Sequence, residues 1–598
     1  SRERAMRRRF AQYRQTGAYR DGQAVLGFVV IALLFALPIL NQNRMVLGVD
    51  AFFHLHRFYD AAMQLKTGQF NYFVSLFGFN QSGRIVNAVY GPWFAYLNGL
   101  LLLLAGSWVR WQFWSNFIIA FGGLLAGYLA LRWAHVRRLY SVAGSMIMVG
   151  SLPGLSWFAN QAFMSVGAMF IALAVGIGIR MLQQPDRPIN PWQMGAVMAL
   201  GIQVHMLSTL FMLLVLVWFA VPAVFRAKRP VFMVLNGLLA AGLALLLSVN
   251  VWMPFLHVNM SNRLLRPFIE LRGDIPADTL GFTWDGSHNL SLIAMVLIVV
   301  AVAALVLRNQ CQPRLDFTTQ WTLLGGVLLV VAGSQLLPWR MIMKDADNWL
   351  STFQFALRFG IPGLILIVFG LLLWLQQQPI AASSGMQVAT LATGVLAMGM
   401  LFTPMTDKMA TQSDLKTVVG LTAYTRPKLT LKQLVADERR TDLSRLMLDG
   451  TQNYPDYLPI SKKTATSLTG KDWYTKNGLD QAYLRDIVGN RLPKMKRTVV
   501  DGQLHLTWQA KRATTVTLPV VKYAETTLSL NGQMLDNVKL SRIGAPVVKQ
   551  QAGRNTLILG YQTPGWLPTT QYVAAISWGL LAFGAVVAQL RRFYKEKE

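Results

Sequence analysis

Long apolar segments separated by short basic ones constrain this chain more than any other feature. Of its 598 residues, 53% are hydrophobic and 14% are charged, and the mean hydropathy is +0.37. A soluble protein carries roughly 25% charged residues, so one large water-soluble globule is excluded. Lys and Arg outnumber Asp and Glu by 56 to 27, and in membrane proteins such an excess gathers in cytoplasmic loops. The single cysteine, Cys311, excludes an intramolecular disulfide framework. The composition predicts a polytopic α-helical membrane protein.

The apolar and basic segments together predict about 12 transmembrane helices with both termini in the cytoplasm. Apolar segments lie near residues 22–40, 89–105, 112–131, 141–158, 163–182, 192–225, 231–254, 290–307, 320–338, 358–375, 387–404 and 571–590. Basic clusters, which mark the cytoplasmic side, lie near residues 2–20, 132–138, 226–229, 308–314 and 591–597.

Two adjustments keep every basic cluster on one side. The segment 89–105 is short, begins Tyr90-Gly91-Pro92-Trp93 and contains Asn98, so it is predicted to lie in or dip into the outer interface. The segment 192–225 is long enough for two short spans, and Gln203-Val204-His205 interrupts it.

Four regions follow from this topology. Residues 1–21 form a basic cytoplasmic tail, which we do not expect to be a cleaved signal because no small-residue cleavage site follows the first apolar run. Residues 22–404 form the transmembrane domain, with a first outer loop at 41–111. Residues 405–570 form an outer domain, and residues 571–598 form a final span with a basic cytoplasmic tail.

The insert 405–570 has the composition of a small extracytoplasmic α/β domain. Thr514–Val521, Thr526–Leu530 and Thr556–Gly560 are typical of strands, Asn531-Gly532 predicts a hairpin, and Leu431–Leu448 predicts an amphipathic helix. The insert carries 24 Lys and Arg against 13 Asp and Glu. Because it lies outside, topology does not explain this charge, which suits either an anionic lipid or polymer partner or a generally basic solvated surface.

The sequence contains no P-loop and no cytoplasmic loop large enough for a nucleotide-binding domain. An ATP-driven pump in one chain is therefore not expected. The free energy for any reaction has to come from the substrate or from a gradient.

The most informative stretch is Gly48-Val49-Asp50-Ala51-Phe52-Phe53-His54-Leu55-His56-Arg57, directly after the first span. A helix starting at Asp50 would place Asp50, His54 and Arg57 on one face. A carboxylate at this boundary can act as a general base. Two alternatives stay open: Asp50 is only a helix N-cap, or Asp50 and His54 share a cation, for which no third ligand is evident.

Further candidates lie in the other outer loops and in one span. The cations able to hold a phosphate are Arg263, Arg266, Arg340, Lys344 and Arg358. Of these, Arg358 is either a bidentate phosphate clamp or a snorkelling residue. His205 interrupts an apolar stretch and can line a cavity or pack. The acids Asp274, Asp278, Asp285, Asp345 and Asp347 are expected to be solvated loop residues or caps.

The arrangement of these segments resembles the GT-C superfamily of membrane glycosyltransferases, and within it the bacterial YfhO-type branch. The resemblance covers essentially the whole chain and is carried by short motifs. These are the Asp-x-x-x-His stretch above, Gln354-Phe355-Ala356-Leu357-Arg358-Phe359, Asp456-Tyr457-Leu458-Pro459, and a β-rich close with Leu518-Pro519, Asn531-Gly532 and Tyr561-Gln562-Thr563-Pro564-Gly565-Trp566.

The resemblance implies transfer of a sugar from a polyprenyl phosphate to a hydroxyl of a cell-envelope polymer, such as a teichoic acid, at the outer face of the bacterial plasma membrane. It makes Asp50 the general base, with inversion, and it implies a partner enzyme that makes the lipid-linked sugar and no nucleic-acid partner. Many members carry a second acidic residue where this chain has Trp157-Phe158-Ala159-Asn160-Gln161. Asn160 can still hydrogen-bond a sugar. Because the second carboxylate is missing, a two-carboxylate metal site is not expected, and a mechanism without metal or cofactor is favoured.

Two other classes remain open: a flippase for a lipid-linked saccharide, and an envelope scaffold that binds an anionic polymer without catalysis. A transporter would tend to show two similar halves with broken helices, and the halves of this chain are not similar. A scaffold would bind in a salt-dependent way without needing Asp50.

Overall fold

The computed structural model describes residues 17–151, 156–267, 280, 290–311, 313–342, 349–411, 414–419, 423–468, 478–490, 492 and 495–595. The helices are α1 Gly17–Gln42, α2 Ala51–Thr67, α3 Asn87–Tyr90, α4 Pro92–Ala105, α5 Trp108–Trp133, α6 Arg138–Gly150, α7 Trp157–Asn160, α8 Met164–Gln183, α9 Pro191–Val204, α10 Met206–Arg226, α11 Pro230–Leu247, α12 Val249–Ser261, α13 Leu292–Val306, α14 Phe317–Ala332, α15 Trp339–Ile342, α16 Leu357–Leu375, α17 Ser384–Thr411, α18 Leu415–Val419, α19 Leu431–Arg439, α20 Ser444–Asp449, α21 Lys462–Ser467, α22 Leu479–Tyr483 and α23 Leu567–Lys595.

Eight of the described helices are long and apolar enough to cross a membrane, namely α1, α5, α8, α10, α11, α16, α17 and α23. Shorter apolar helices include α4, α13 and α14. The chain is thus a multi-pass helical membrane protein, and the count of 12 spans stays a prediction. Single His, Ser or Gly residues divide several predicted apolar segments. His205 separates α9 from α10 as expected, Ser248 separates α11 from α12, and Gly91 separates α3 from α4.

The helical bundle has two distinct ends. At one end Arg138 forms an ion pair with Asp21 at 2.7 Å, and Gln183 donates to the Ala134 carbonyl. The backbone N–H of Lys228 donates to the Pro185 carbonyl at this end. The basic clusters at 132–138 and 226–229 therefore lie together. The opposite end holds the residues that follow α1 and those that precede α16.

The sheet domain follows the α17 helix. Its strands are β1 Ala423–Thr425, β2 Gly450–Gln452, β3 Lys496–Val500, β4 Gln503–Ala510, β5 Thr514–Thr517, β6 Thr526–Leu530, β7 Gln533–Met534, β8 Lys539–Leu540, β9 Pro546–Gln550 and β10 Gly553–Tyr561. They form antiparallel sheets in the orders β1-β2, β3-β4-β10-β6-β7 and β5-β9-β8. Alternate residues of β4 and β10 bury a shared apolar core around Trp508.

The hairpin prediction is confirmed. Leu530 pairs with Gln533, and Asn531 and Gly532 have φ values of 52° and 82°, as a two-residue turn requires. The prediction of one helix over Leu431–Leu448 is wrong in its middle, because α19 ends at Arg439 and α20 begins at Ser444. The Asp442 carboxylate accepts hydrogen bonds from the Ser444 backbone N–H and hydroxyl, which compete with a continuous helix.

The sheet domain packs on the loop at residues 41–111, at the end of the bundle opposite Asp21. The Phe73 ring stacks on Tyr561 with centroids 4.5 Å apart. The Val521 backbone N–H donates to the Ser82 carbonyl at 2.8 Å. The loop that carries the candidate site therefore lies between the bundle and the sheets.

Candidate active site

The peptide leading to Asp50 is held against the corner between α7 and α8. A Cβ added to Gly48 would lie 2.1 Å from the Asn160 Cα atom, so no larger residue fits there without a shift of the backbone. The Asp50 backbone N–H donates to the Asn160 carbonyl at 3.2 Å. The Asp-bearing turn is thus fixed by close backbone contact.

Two glutamines fix the same peptide from the bundle side. The Gln112 side chain accepts from the Val46 N–H at 2.8 Å and donates to the Val46 carbonyl at 2.7 Å. The Gln161 side chain accepts from the Gly48 N–H at 2.6 Å. Both amides are buried, so they satisfy backbone groups that water does not reach.

Asp50 immediately precedes α2, but its carboxylate makes no capping hydrogen bond. The N-cap alternative therefore does not account for this side chain. The residue is half-buried, and the pKa of its carboxyl is raised to about 6. Burial is the largest cause, the charge of Asp456 raises the pKa further, and the charge of Arg358 partly offsets both. Such a carboxylate remains mostly ionised at neutral pH and is a stronger base than a solvated aspartate.

Arg358 lies in the first turn of α16 and is the cation whose charge acts most on Asp50. Its Nη1 donates to the Phe353 carbonyl at 3.2 Å and to the Gln354 side chain at 2.5 Å. The guanidinium carbon lies 4.7 Å from the Phe355 ring centroid. The motif at 354–359 therefore positions its own arginine toward the Asp50 side of the bundle.

His54 and Arg57 share the inner face of α2, as predicted, but both are buried in protein. The His54 ring stacks on Phe163 with centroids 5.0 Å apart and lies 5.3 Å from that of Trp157. Burial, together with the Arg57 charge, holds the pKa of His54 well below its usual value, so the ring is neutral. Among the described residues, no group of three His, Cys, Asp or Glu could hold a metal ion.

Arg57 joins the helices of the first outer loop. It donates to the Gly91 carbonyl at 3.0 Å and to the Asn87 side chain at 3.3 Å, and its guanidinium carbon lies 4.8 Å from the Tyr90 ring centroid. His56 hydrogen-bonds the Gly450 carbonyl through Nε2 at 2.9 Å. Both residues contribute to packing.

Asn160 and His205 lie on two sides of the same region. The Asn160 side chain accepts a hydrogen bond from Lys408 Nζ at 2.6 Å, and its carbonyl receives the Asp50 N–H. The His205 ring hydrogen-bonds the Ser208 hydroxyl at 2.7 Å, with its centroid 5.1 Å from that of Phe163. Asn160 thus helps to position Asp50, and His205 packs against the aromatic cluster around His54.

Arg263 and Arg266 are exposed and lie beside the outer-domain segment that contains Asp456. The Ile460 N–H donates to the Arg263 carbonyl at 2.9 Å, and the Tyr457 N–H donates to the Leu265 carbonyl at 2.8 Å. The segments from the two domains therefore run antiparallel. Of the other candidates, Lys344, Asp274, Asp278, Asp285, Asp345, Asp347 and the side chain of Arg340 lie outside the described residues.

Several residues of this site had no distinctive sequence signal. The sequence around Tyr90 predicts only the start of an interfacial helix, yet the Tyr90 ring centroid lies 6.0 Å from that of Tyr457. Burial and the nearby Asp50 raise the pKa of Tyr90 to about 12. Lys408 ends a long apolar helix, where a cation is ordinary. Only the fold brings these side chains to the Asp50 peptide.

Neither a protein-family model nor a curated protein matches the sequence. Among solved structures, the chain is similar to the crystal structure of the Archaeoglobus fulgidus oligosaccharyltransferase in its apo form, with a TM-score of 0.35 and 12% sequence identity. The similarity covers 64% of this chain and 56% of the archaeal one, so the chain spans little more than half of that protein.

Proposed function

We propose that this protein transfers a sugar from a polyprenyl-phosphate donor to a hydroxyl group, with Asp50 as the general base. The observation that carries the proposal is the state of the Asp50 carboxylate. It is half-buried, makes no helix-capping hydrogen bond, has a pKa raised to about 6 and lies within electrostatic reach of Arg358. Titratable groups with perturbed pKa values beside a cation are typical of catalytic sites.

The reaction needs three contributions from the chain. Asp50 accepts the proton of the acceptor hydroxyl, whose oxygen attacks the anomeric carbon as the bond from that carbon to the phosphate oxygen breaks. The bonding electron pair leaves with the lipid phosphate, and the anomeric configuration inverts. Arg358 stabilises the charge that develops on the leaving phosphate. Arg263 and Arg266 are further candidates for holding the donor.

The setting of the site is compatible with a lipid-linked donor. Asp50 follows a 26-residue apolar helix, and the proposal places it near the membrane surface, where the phosphate of a polyprenyl lipid would lie. The resemblance to GT-C enzymes, and to their YfhO-type branch, supplies the reaction class and a cell-envelope polymer such as a teichoic acid as acceptor. His54, Arg57, Asn160 and His205 would border the sugar cavity.

The cellular arrangement is part of the same proposal. The basic clusters at one end of the bundle would face the cytoplasm, with both termini, and the site would face outward across a bacterial plasma membrane. A partner enzyme on the inner side would supply the lipid-linked sugar. The mechanism requires no metal, because base, cation and positioning are all provided by side chains.

The test is a transfer assay with the purified full-length chain in lipid vesicles. Polyprenyl-phosphate sugars and envelope polymers are supplied, and the polymers are analysed by mass spectrometry. A new glycosidic bond supports the proposal. Movement of the lipid-linked sugar across the bilayer without a new bond would indicate a flippase. Polymer binding that weakens with salt, without either activity, would indicate a scaffold.

A further inference from the structure

One segment of the outer domain contacts the chain both before Asp50 in the sequence (the near side) and after it (the far side). We call residues 423–452, which contain β1, α19, α20 and β2, the docking segment. On the far side of Asp50, the Gly450 carbonyl accepts the hydrogen bond from His56. A Cβ added to Gly450 would lie 2.5 Å from the Phe52 ring. The docking segment thus packs directly on the first turns of α2.

On the near side of Asp50, the contact is made by a buried carboxylate. Glu438 is fully buried, and its Oε2 accepts a hydrogen bond from the Met45 backbone N–H at 2.8 Å. The neighbouring Arg439 donates to the Asn43 carbonyl at 2.6 Å. Two consecutive residues of α19 therefore hold the peptide between α1 and Asp50.

The docking segment keeps itself together through other carboxylates. Arg426 pairs with Asp449 at 2.6 Å, and Arg440 pairs with Asp437 at 2.8 Å. Glu438 forms neither of these pairs. Its described hydrogen bond is directed at the peptide that leads to Asp50, which separates its role from that of Asp437 one residue earlier.

The position of Glu438 is costly for a carboxylate. Its second oxygen, Oε1, is buried with no hydrogen-bond partner in the part of the chain that the structure describes. Burial raises the pKa of Glu438 to about 7, and the charge of Asp449 acts in the same direction. The hydrogen bond from the Met45 N–H and the charges of Arg44 and Arg439 act the other way and only partly offset this rise. A neutral amide avoids the cost of burying the charge and still accepts from Met45, so glutamine should be tolerated here.

We propose that Glu438 is a positioning residue for Asp50, fastening the docking segment to the peptide at 43–50 and thereby setting the place of the base. This inference rests on the proposed function for its catalytic consequence. It makes the outer domain a structural component of the active site. A misplacement of about 1 Å at a catalytic group can lower the rate up to about 100-fold.

The test compares three variants of the full-length chain in vesicles. Glu438→Ala removes the acceptor, and we expect faster backbone hydrogen exchange at 43–50 and a kcat lower by about 10- to 100-fold with an unchanged donor KM. Glu438→Gln restores the acceptor and should bring both measurements back near those of the unchanged protein. Asp437→Asn weakens the ion pair with Arg440 inside the docking segment but removes no contact to 43–50. It is therefore the control for general loosening, and we expect its exchange at 43–50 and its kcat to stay close to those of the unchanged protein.

Two results would overturn the inference. One is that Glu438→Ala leaves exchange at 43–50 at its original rate. The other is that Asp437→Asn reproduces the Glu438→Ala effects, since general loosening of the docking segment would then explain them. If the unchanged protein transfers no sugar, the proposed function fails, whereas hydrogen exchange still decides whether Glu438 holds this peptide.

Discussion

The two ends of the helical bundle each hold an aspartate close to one end of α1, Asp21 inside the helix near its start and Asp50 beyond its end, and the surroundings of the two differ. Asp21 accepts hydrogen bonds from Tyr128 and Arg138 and forms an ion pair with the latter. Asp50 makes neither a capping hydrogen bond nor a salt bridge with any described residue, and its peptide is fixed through backbone contacts instead. The charge of Asp21 is compensated by Arg138, whereas the Asp50 carboxylate is not used in a helix cap.

This difference separates stability from function in physical terms. A paired aspartate at a basic helix end contributes modestly to folding, since exposed ion pairs are worth about 0–1 kcal/mol. A half-buried carboxylate without such pairing opposes folding when ionised, and such groups concentrate at functional sites. Substitution of Asp50 should therefore lower activity without lowering stability, whereas substitution of Asp21 should lower stability and leave activity nearly unchanged.

The largest expected contrast is between Asp50→Asn and Asp21→Asn. The first should lower transfer by about 10²- to 10⁴-fold, because the general base is lost, while thermal unfolding in detergent stays the same or shifts upward. The second should keep transfer within about twofold and lower the unfolding free energy by up to about 1 kcal/mol. Equal loss of transfer in both variants would erase the distinction between the ends.

Arg358→Gln should give the next largest effect. Loss of a cation at a developing phosphate charge lowers kcat by about 100-fold, and Arg358→Lys should recover part of it because a bidentate contact becomes a single one. Single-turnover transfer measures this step. If Arg358 only snorkels to the headgroups, both variants will transfer at the original rate.

Gly48→Ala tests how tightly the Asp50 peptide is fixed. The added methyl would lie 2.1 Å from the Asn160 Cα atom, so the peptide has to move, and we expect kcat to fall about tenfold or more. Gly27→Ala in α1 is the matched control, because nothing lies within 4 Å of its added Cβ. Indistinguishable kcat values for the two variants would contradict a fixed base.

The pH dependence gives the smallest predicted change. With the pKa of Asp50 raised from 3.8 to about 6, kcat/KM should rise about tenfold between pH 5 and pH 7 and then level off. The same raised pKa means that the Asp50 contribution to stability falls as the pH rises from 3.8 to about 6, because over that range the folded state holds the proton more tightly than the unfolded state. Activity that is flat across pH 5–7 would argue against this base.

The amino-acid sequence predicts the coarse architecture because its signals are local. Apolar length identifies the long helices, His205 marks a helix break, and Asn531-Gly532 specifies a turn through its positive φ values. Asp50 and Arg358 can also be predicted as candidates from the sequence, since Asp50 follows the long apolar helix α1 and Arg358 lies in the first turn of α16.

The remaining parts of the site depend on contacts between distant segments. Gln112 and Gln161 clamp the Asp50 peptide across 66 and 113 residues of sequence, and Glu438 reaches Met45 across 393. A polar residue on a buried helix face has no sequence period or motif from which its hydrogen-bond partner can be predicted. The spacing of His54 from Asp50 predicts a shared face of one helix, but it gives no sign that aromatic side chains pack against the His54 ring.

The most direct measurement of the central claim is a single-turnover reaction of the unchanged protein and Asp50→Asn in vesicles, following glycosidic product and released polyprenyl phosphate together. We predict that the unchanged protein forms the two in equal amounts. The variant should bind the donor equally well and form both products at least about 100-fold more slowly. Transfer by Asp50→Asn at the original rate would contradict the assignment of Asp50 as the base.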